Sequence, residues 1–262
     1  MGTADDRFAQ TEGGKPVTEG VAQSQQTSNP WGSARPPVLS VTAGYERWAK
    51  IYDASHNPLL ALEQRMIAPM LPDLAGKQVL DLACGTGRWF SLLAARGVAQ
   101  LIGVDMSRAM LRIADKKPNL ALALIQADCT AIPLKGGEID FAICSFSAGH
   151  IRNLDGFAAE CSRVLRPGAE LFISDLHPDA YSAGWRTGFR DHRGSAEIET
   201  IARSCDDVVN TFLSNRFECI GTYGFCFDQS ERPIFVAAGK EKFFAIASEL
   251  RAVFFCRFRR MH

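Results

Sequence analysis

The stretch Val79-Leu80-Asp81-Leu82-Ala83-Cys84-Gly85-Thr86-Gly87-Arg88-Trp89 constrains this chain more than any other. A short apolar run ends in two glycines spaced two apart, and helix-forming residues follow. Short apolar runs of this kind predict strands buried on both faces. The glycines let backbone approach a ligand closely, and the helix N-terminus behind them offers free N–H groups. The same alternation then repeats. Leu101–Asp105, Leu122–Ala127, Ile139–Phe146 and Glu170–Ser174 read as strands. Arg88–Arg96, a segment opened by Ser107, and Asp155–Leu165 read as helices. Gly97 predicts a C-cap, Ser107 an N-cap, and Arg166-Pro167-Gly168 a turn into the fifth strand. Strands alternating with helices predict an α/β fold with a mostly parallel sheet. Ligands of such sheets lie beyond the carboxyl ends of the strands.

The flanks differ from this pattern. Tyr45, Trp48, Ile51 and Tyr52 recur at helical spacing, followed by Leu59, Leu60, Leu62, Met66 and Ile67. Two helices broken near Asn57-Pro58 fit that spacing. About half of residues 1–40 are Gly, Pro, Ser, Thr or Gln, too little apolar surface to offset chain entropy. Residues 1–44 are therefore expected to form a disordered or loosely attached arm, with docking through Trp31 as the alternative. Beyond the fifth strand, Cys205–Leu213 reads as a helix, and Phe217–Phe227 and Ala252–Arg257 as strands.

Charge and cysteine usage exclude several classes. Lys+Arg and Asp+Glu are both 29, so no excess of basic charge favours a polyanion partner. No apolar run approaches the roughly 18 residues of a membrane span, and no signal-peptide pattern opens the chain. The 8 cysteines form no C-x-x-C pair, and several sit inside apolar runs. That pattern predicts reduced, mostly buried thiols in a cytoplasmic protein, with no metal site.

The ligand chemistry follows from the strand ends. A pyrophosphate loop would carry a third glycine where Phe90 stands, which disfavours a dinucleotide. Asp81 places a carboxylate before the turn, suited to a cationic ligand. Asp105 ends the next strand, where a carboxylate can accept both hydroxyls of a ribose. Asp128 ends the third and can accept from an exocyclic adenine amine.

Together these residues resemble the class I S-adenosylmethionine-dependent methyltransferases, in particular the small-molecule branch that includes quinone-biosynthesis enzymes. The resemblance rests on Tyr45–Asp53, Val79–Gly87, Gly103–Ser107, Ala127–Phe141 and Arg163–Ala169, and covers about residues 45–176. It implies a Rossmann-like three-layer sandwich with a mostly parallel seven-stranded sheet and an antiparallel C-terminal hairpin. Residues 45–262 would form the domain, with lid helices at 45–70 and a substrate-side insertion at 178–200. It implies S-adenosyl-L-methionine as cofactor and a small molecule as acceptor. Asp81, Ala83, Cys84, Gly85, Thr86 and Gly87 would surround the methionine moiety. Asp105 and Met106 would hold ribose and adenine, and Asp128 and Cys129 the adenine edge. Ser145 would add backbone near the methionine amine, and Tyr52 a hydroxyl from the lid. Ala83 replaces the family's commonest glycine.

Methyl transfer from a sulfonium needs alignment and water exclusion, and a base only where the nucleophile holds its proton tightly. His150, after the fourth strand, and His177, after the fifth, are the candidates for catalysis. The loop Ser145-Phe146-Ser147-Ala148 lacks the Pro-Pro-aromatic run of base-methylating enzymes, which argues against nucleic acid. Tyr181, Trp185 and Phe189 fall four apart, with Arg186, Arg190 and Arg193 beside them. One reading is a packed helix. The sharper one is a lid in which Tyr181, Trp185, Arg186 and Arg190 face the substrate. The rivals in function are a lyase or cyclase using the same cofactor, and a non-catalytic binding protein.

Overall fold

The computed structural model describes residues 35–117 and 122–262. Pro36–His262 forms one compact unit. Residues 1–34 of the expected arm lie outside the described residues.

The unit opens with strand β1 (Val38–Leu39), helix α1 (Val41–Tyr52) and helix α2 (Pro58–Ile67). Next come β2 (Gln78–Leu82), α3 (Phe90–Ala94), β3 (Gln100–Asp105), α4 (Arg108–Ala114) and β4 (Leu122–Gln126). β5 (Ile139–Ser145), α5 (Leu154–Val164), β6 (Leu165–Leu176) and α6 (Pro178–Ser182) follow. A hairpin of β7 (Gly188–Asp191) and β8 (Gly194–Ile198) precedes α7 (Cys205–Ser214) and β9 (Phe217–Phe225). The chain closes with α8 (Arg232–Ala237), α9 (Phe244–Ser248) and β10 (Val253–Arg260).

The main sheet has seven strands in the order β4-β3-β2-β5-β6-β10-β9. β2 to β6 are parallel, and β10 runs antiparallel to both neighbours. This is the Rossmann-like sheet and antiparallel C-terminal pair that the resemblance implies. Its strands divide their side chains by period two. Leu80, Leu171 and Ile173 face a core closed by Phe157 and Cys161 of α5 and Phe212 of α7. Val79 and Phe172 face a second core with Leu62 and Ile67 of α2 and Phe90 of α3. Each fully buried Leu, Ile or Phe contributes about 1.5–3 kcal/mol, so both faces are strongly held.

Three expectations are corrected. Ser40 caps α1, and β1 pairs with β8, so the domain starts at Pro36 rather than Tyr45. Arg166-Pro167-Gly168 is not a turn before the strand. β6 already starts at Leu165, Gly168 takes a φ of +83°, and the pairing with β5 shifts register between Ile139 and Phe141. The aromatic series at 181–189 is not one helix. α6 ends at Ser182, Gly184 has a φ of +91°, and Phe189 lies in β7. At Gly188 a Cβ would sit 2.6 Å from the Ala196 carbonyl, so only glycine permits this hairpin's close pairing.

The hairpin positions α1. Phe189 stacks on Trp48 with ring centroids 5.2 Å apart. Arg47 Nε donates to Asp191 across 2.8 Å. Trp48 and Ala49 complete a small core with Met110, Ala196 and Ile198. That packing lays the Tyr45–Tyr52 face of α1 over the carboxyl ends of the main sheet.

Candidate active site

A cavity of about 370 Å³ opens at those strand ends. Its floor is the glycine loop after β2. Ala83, Gly85 and Gly87 all take positive φ, at +52°, +55° and +73°. Only Ala83 carries a Cβ there, a conformation that costs an L-residue of order 1–3 kcal/mol. A Cβ at Gly87 would meet the Phe90 ring at 2.3 Å, so that glycine serves helix packing and does not line the cavity.

Asp105 staples the loop. Its Oδ2 accepts from the Gly85 N–H at 2.8 Å, and its Oδ1 from the Ser107 N–H at 2.7 Å. Burial raises its pKa, and those two backbone bonds oppose the rise. Thr86 donates from Oγ1 to Asp53 at 2.6 Å, tying the loop to the end of α1. Asp128 turns inward on its own chain, accepting from the N–H and hydroxyl of Thr130 at 2.7 and 2.8 Å.

Asp81 is the unsettled group. It is 2 % exposed, and its Oδ2 has no hydrogen-bond partner. Burial pushes its pKa up to about 8, against the opposing charge of Arg88. A buried, unpartnered carboxylate oxygen costs stability unless a donor reaches it. A cationic ligand in the cavity would supply that donor. The open loop backbone, Asp81 and the cavity's size thus fit a cofactor with an ammonium group.

Below the loop lies a polar cluster that sequence reading passed over. Glu63 of α2 is fully buried. It pairs with Arg88 and accepts from the hydroxyls of Ser145 and Ser174, the former at 2.7 Å. Arg88 also donates to Ser145 Oγ at 2.7 Å. The signal was a glutamate set among the apolar residues of a helix.

Elsewhere on the cavity wall, His150 sits 3.0 Å from Tyr45 Oη through Nε2, and 2.9 Å from the Glu199 carbonyl through Nδ1. A carbonyl can only accept, so Nδ1 carries the proton. In the neutral ring Nε2 is then the acceptor and the Tyr45 hydroxyl the donor. Burial raises the Tyr45 pKa well above its usual value and that of Tyr52 to about 12. Arg203 holds this wall, donating to the carbonyls of Ala148 and Ile151 at 3.0 and 2.6 Å. Asp175 accepts from the Gly149 N–H at 2.7 Å.

The cavity gathers Tyr52, Asp81, Ala83, Cys84, Gly85, Thr86, Asp105, Met106, Asp128, Cys129, Ser145 and His150. His177 lies elsewhere. Its Nδ1 accepts from the Asp179 N–H at 3.0 Å and caps α6, and burial lowers its pKa. Tyr181, Trp185, Arg186 and Arg190 do not line the cavity either. Trp185 packs toward Phe227, and Arg186 lies 3.9 Å from the Tyr181 ring centroid. The residues missed were Tyr45, Glu63, Arg88, Phe146 and Glu199. Tyr45 carries a helical spacing and opens the Tyr45–Asp53 motif, neither of which assigns it to the site, and Phe146 takes an unexpected φ of +50°. Among the described residues no cluster of His, Cys, Asp or Glu could hold a metal ion, and no helix is long and apolar enough to cross a membrane.

Strand order, glycine loop and acidic strand ends define a nucleoside-binding α/β domain. A methyltransferase-domain family model matches residues 80–173. The chain is 30% identical over 148 residues to a demethylmenaquinone methyltransferase of Tropheryma whipplei, covering 53% of this chain and 60% of that one. It is 31% identical over 144 residues to a 2-phytyl-1,4-naphtoquinone methyltransferase of Synechococcus elongatus, covering 51% and 62% respectively. The chain thus spans about 60% of the length of these curated relatives. The crystal structure of an S-adenosylmethionine-dependent methyltransferase from Mesorhizobium loti shares the fold, with a TM-score of 0.63 and 19% identity. That match covers 78% of this chain and all of that one. Residues 80–173 thus resemble a methyltransferase domain, and the sheet has the fold of the S-adenosylmethionine-dependent methyltransferase from Mesorhizobium loti.

Proposed function

We propose that this protein transfers the methyl group of S-adenosylmethionine to a small hydroxylated aromatic acceptor of the quinol type. The observation that carries the reading is one cavity lined both by Asp81, whose Oδ2 has no hydrogen-bond partner, and by the Tyr45–His150 pair. The names of the two curated relatives supply the quinone class.

Asp81 pairs with the cofactor's ammonium, and Asp105 accepts from its ribose hydroxyls with the lone pairs that Gly85 and Ser107 leave free. Met106, Asp128 and Cys129 border the adenine. Backbone at Ala83, Cys84, Gly85, Thr86 and Ser145 encloses the methionine, and Tyr52 closes over it. When bound, the cofactor supplies an electrophilic methyl on a sulfonium whose departure needs no acid.

The chain's remaining task is to hold the acceptor and move its proton. An acceptor hydroxyl donates to Tyr45 Oη, and Tyr45 donates to His150 Nε2. As the hydroxyl loses its proton to Tyr45, the Tyr45 proton passes to Nε2. The Glu199 carbonyl accepts from the Nδ1–H and steadies the cationic ring. An aromatic oxyanion pushes electron density onto its own oxygen and the adjacent ring carbon, so either becomes the better nucleophile.

Incubation with S-adenosylmethionine and a panel of hydroquinones and naphthohydroquinones tests this, with S-adenosylhomocysteine and the methylated ring read by mass spectrometry. Equal formation of both supports the proposal. Conversion of acceptor without S-adenosylhomocysteine would indicate a lyase or cyclase. Tight cofactor binding with no turnover across the panel would indicate a binding protein.

A further inference from the structure

Two cysteines far from the cavity stand out. Cys205 Sγ lies 3.3 Å from Cys256 Sγ, across 51 positions of sequence. Cys205 is the first residue of α7, directly after the Ser204 cap, and is partly exposed. Cys256 lies on β10 and is buried.

We infer that Cys205 and Cys256 are a redox-active dithiol that closes to a disulfide under a peroxide oxidant. The geometry gives the two sulfurs different tasks. Cys205 meets solvent and stands at the N-terminus of a ten-residue helix, where the helix dipole favours a thiolate. The neighbouring Cys256 Sγ–H also lowers the Cys205 pKa, while that same contact, and then burial, raise the pKa of Cys256. Asp206 beside Cys205 works against the thiolate, and Cys219 is the further thiol near Cys256. Cys205 is therefore the attacking sulfur and Cys256 the resolving one.

The chemistry balances with hydrogen peroxide. The Cys205 thiolate attacks one peroxide oxygen, the O–O bond breaks, and a sulfenic acid and a hydroxide result; the hydroxide takes the proton that Cys205 gave up on ionising and leaves as water. Cys256 then attacks the sulfenic sulfur, the S–O bond breaks, and the hydroxide leaves as a second water with the Cys256 proton. Two thiols are oxidised by two electrons, and the peroxide is reduced to two waters. The other thiols lack this arrangement. Cys84, Cys129, Cys144 and Cys161 are buried, and burial raises the pKa of each. Cys226 is exposed and provides a control.

Closure would also reach the active site. Arg203, two residues before Cys205, grips the carbonyls of Ala148 and Ile151 on either side of His150. A covalent tie at Cys205 fixes the start of α7 against β10 and so restrains that grip.

The experiment treats the full chain with hydrogen peroxide, blocks remaining thiols with an alkylating agent and maps peptides without reduction. We expect a Cys205–Cys256 cross-linked pair, two hydrogens lighter than the dithiol and reopened by dithiothreitol. The oxidised chain should melt roughly 5 °C or more above the reduced one, because the link constrains a long loop of the unfolded chain. Cys205→Ser, on the partly exposed side, should fold, lack the cross-link and show no oxidant-dependent shift. Oxidation of Cys226 with the pair still fully alkylated would overturn the inference. So would sulfinic acid at Cys205 with Cys256 free.

Discussion

The hydroxyl of Tyr45 donates to Nε2 of His150 across 3.0 Å, although 105 positions separate the two residues. α1 and the loop after β5 bring them together, and the Glu199 carbonyl fixes the ring's tautomer. Under the proposed function, a proton acceptor held this way acts in the chemical step and not in cofactor binding. His150→Gln should therefore lower kcat by about 10²-fold or more, the lower range for general base catalysis. Tyr45→Phe, which keeps the ring but breaks the relay, should lower it less. Calorimetric affinity for S-adenosylhomocysteine should stay within about threefold in both variants. Equal losses of affinity and turnover would assign the pair to packing.

Asp105 serves two masters. It staples Gly85 and Ser107 and also faces the cavity. Asp105→Ala should cost the cofactor about 1.5–3 kcal/mol for lost charge-assisted hydrogen bonds, and should loosen the loop besides. Asp105→Asn separates the two effects, since one amide oxygen still accepts from backbone. Calorimetry should then show weaker binding with a melting temperature nearer wild type. Unchanged affinity in Asp105→Ala would remove the ribose assignment.

The parts legible in the sequence were those with a local cause. β2, β3 and β5 are short, nearly continuous apolar runs, and Ser107 caps α4 as its position suggested. The glycine loop and the acids that follow successive strands repeat one local pattern, and all of them except Gly87 line one cavity. What escaped depended on distant partners. Positions 181, 185 and 189 fit one helix face by their spacing of four. An even spacing also fits one face of a strand, and the glycines at 184 and 188 decided against the helix. The Glu63 cluster could not be foreseen because Arg88, Ser145 and Ser174 reach it from three other segments.

Asp81 predicts a proton linkage. Its pKa of about 8 lies above the ordinary carboxylate value, so the free folded protein holds a proton that the unfolded chain releases. The folded state then binds more protons between about pH 4 and 8, and this group's stabilisation is lost as pH rises through that window. An ammonium beside Asp81 favours the charged form and displaces the proton. Binding of S-adenosylhomocysteine at pH 7 should therefore release close to one proton. Calorimetry in buffers of different ionisation enthalpy measures it. Asp81→Asn should abolish the release, and a buffer-independent heat in the wild-type chain would contradict the linkage.

Arg88 and Glu63 form a pair whose acid is fully buried and whose base lines the cavity. Removing only the base leaves an uncompensated charge, which typically costs about 3–5 kcal/mol. Arg88→Ala should show a loss of that order by denaturant unfolding. Adding Glu63→Gln should restore part of it, because the amide needs no counter-charge and can still meet Ser145 and Ser174. If the double variant were no more stable than Arg88→Ala, the pair would not be coupled.

The segment just before α1 carries the last prediction. Leu39 accepts from the Glu199 N–H at 2.8 Å, and Pro37 from the Glu197 N–H at 3.0 Å. Ser40 caps α1 by accepting from the Ala43 N–H, and Val41 and Thr42 line the cavity. Glu199 is also the residue whose carbonyl receives the His150 Nδ1–H. A protein starting at Arg35 keeps all of these contacts and should match the full chain in melting temperature and turnover. One starting at Tyr45 loses the cap, worth about 1 kcal/mol, together with both strand bonds. It should melt several degrees lower, at about 2–4 °C per kcal/mol for a domain of this size. It should also turn over more slowly, because β1 no longer holds the residue that orients His150. Equal melting and equal turnover for the two truncated forms would show that β1 supports neither the fold nor the wall around His150.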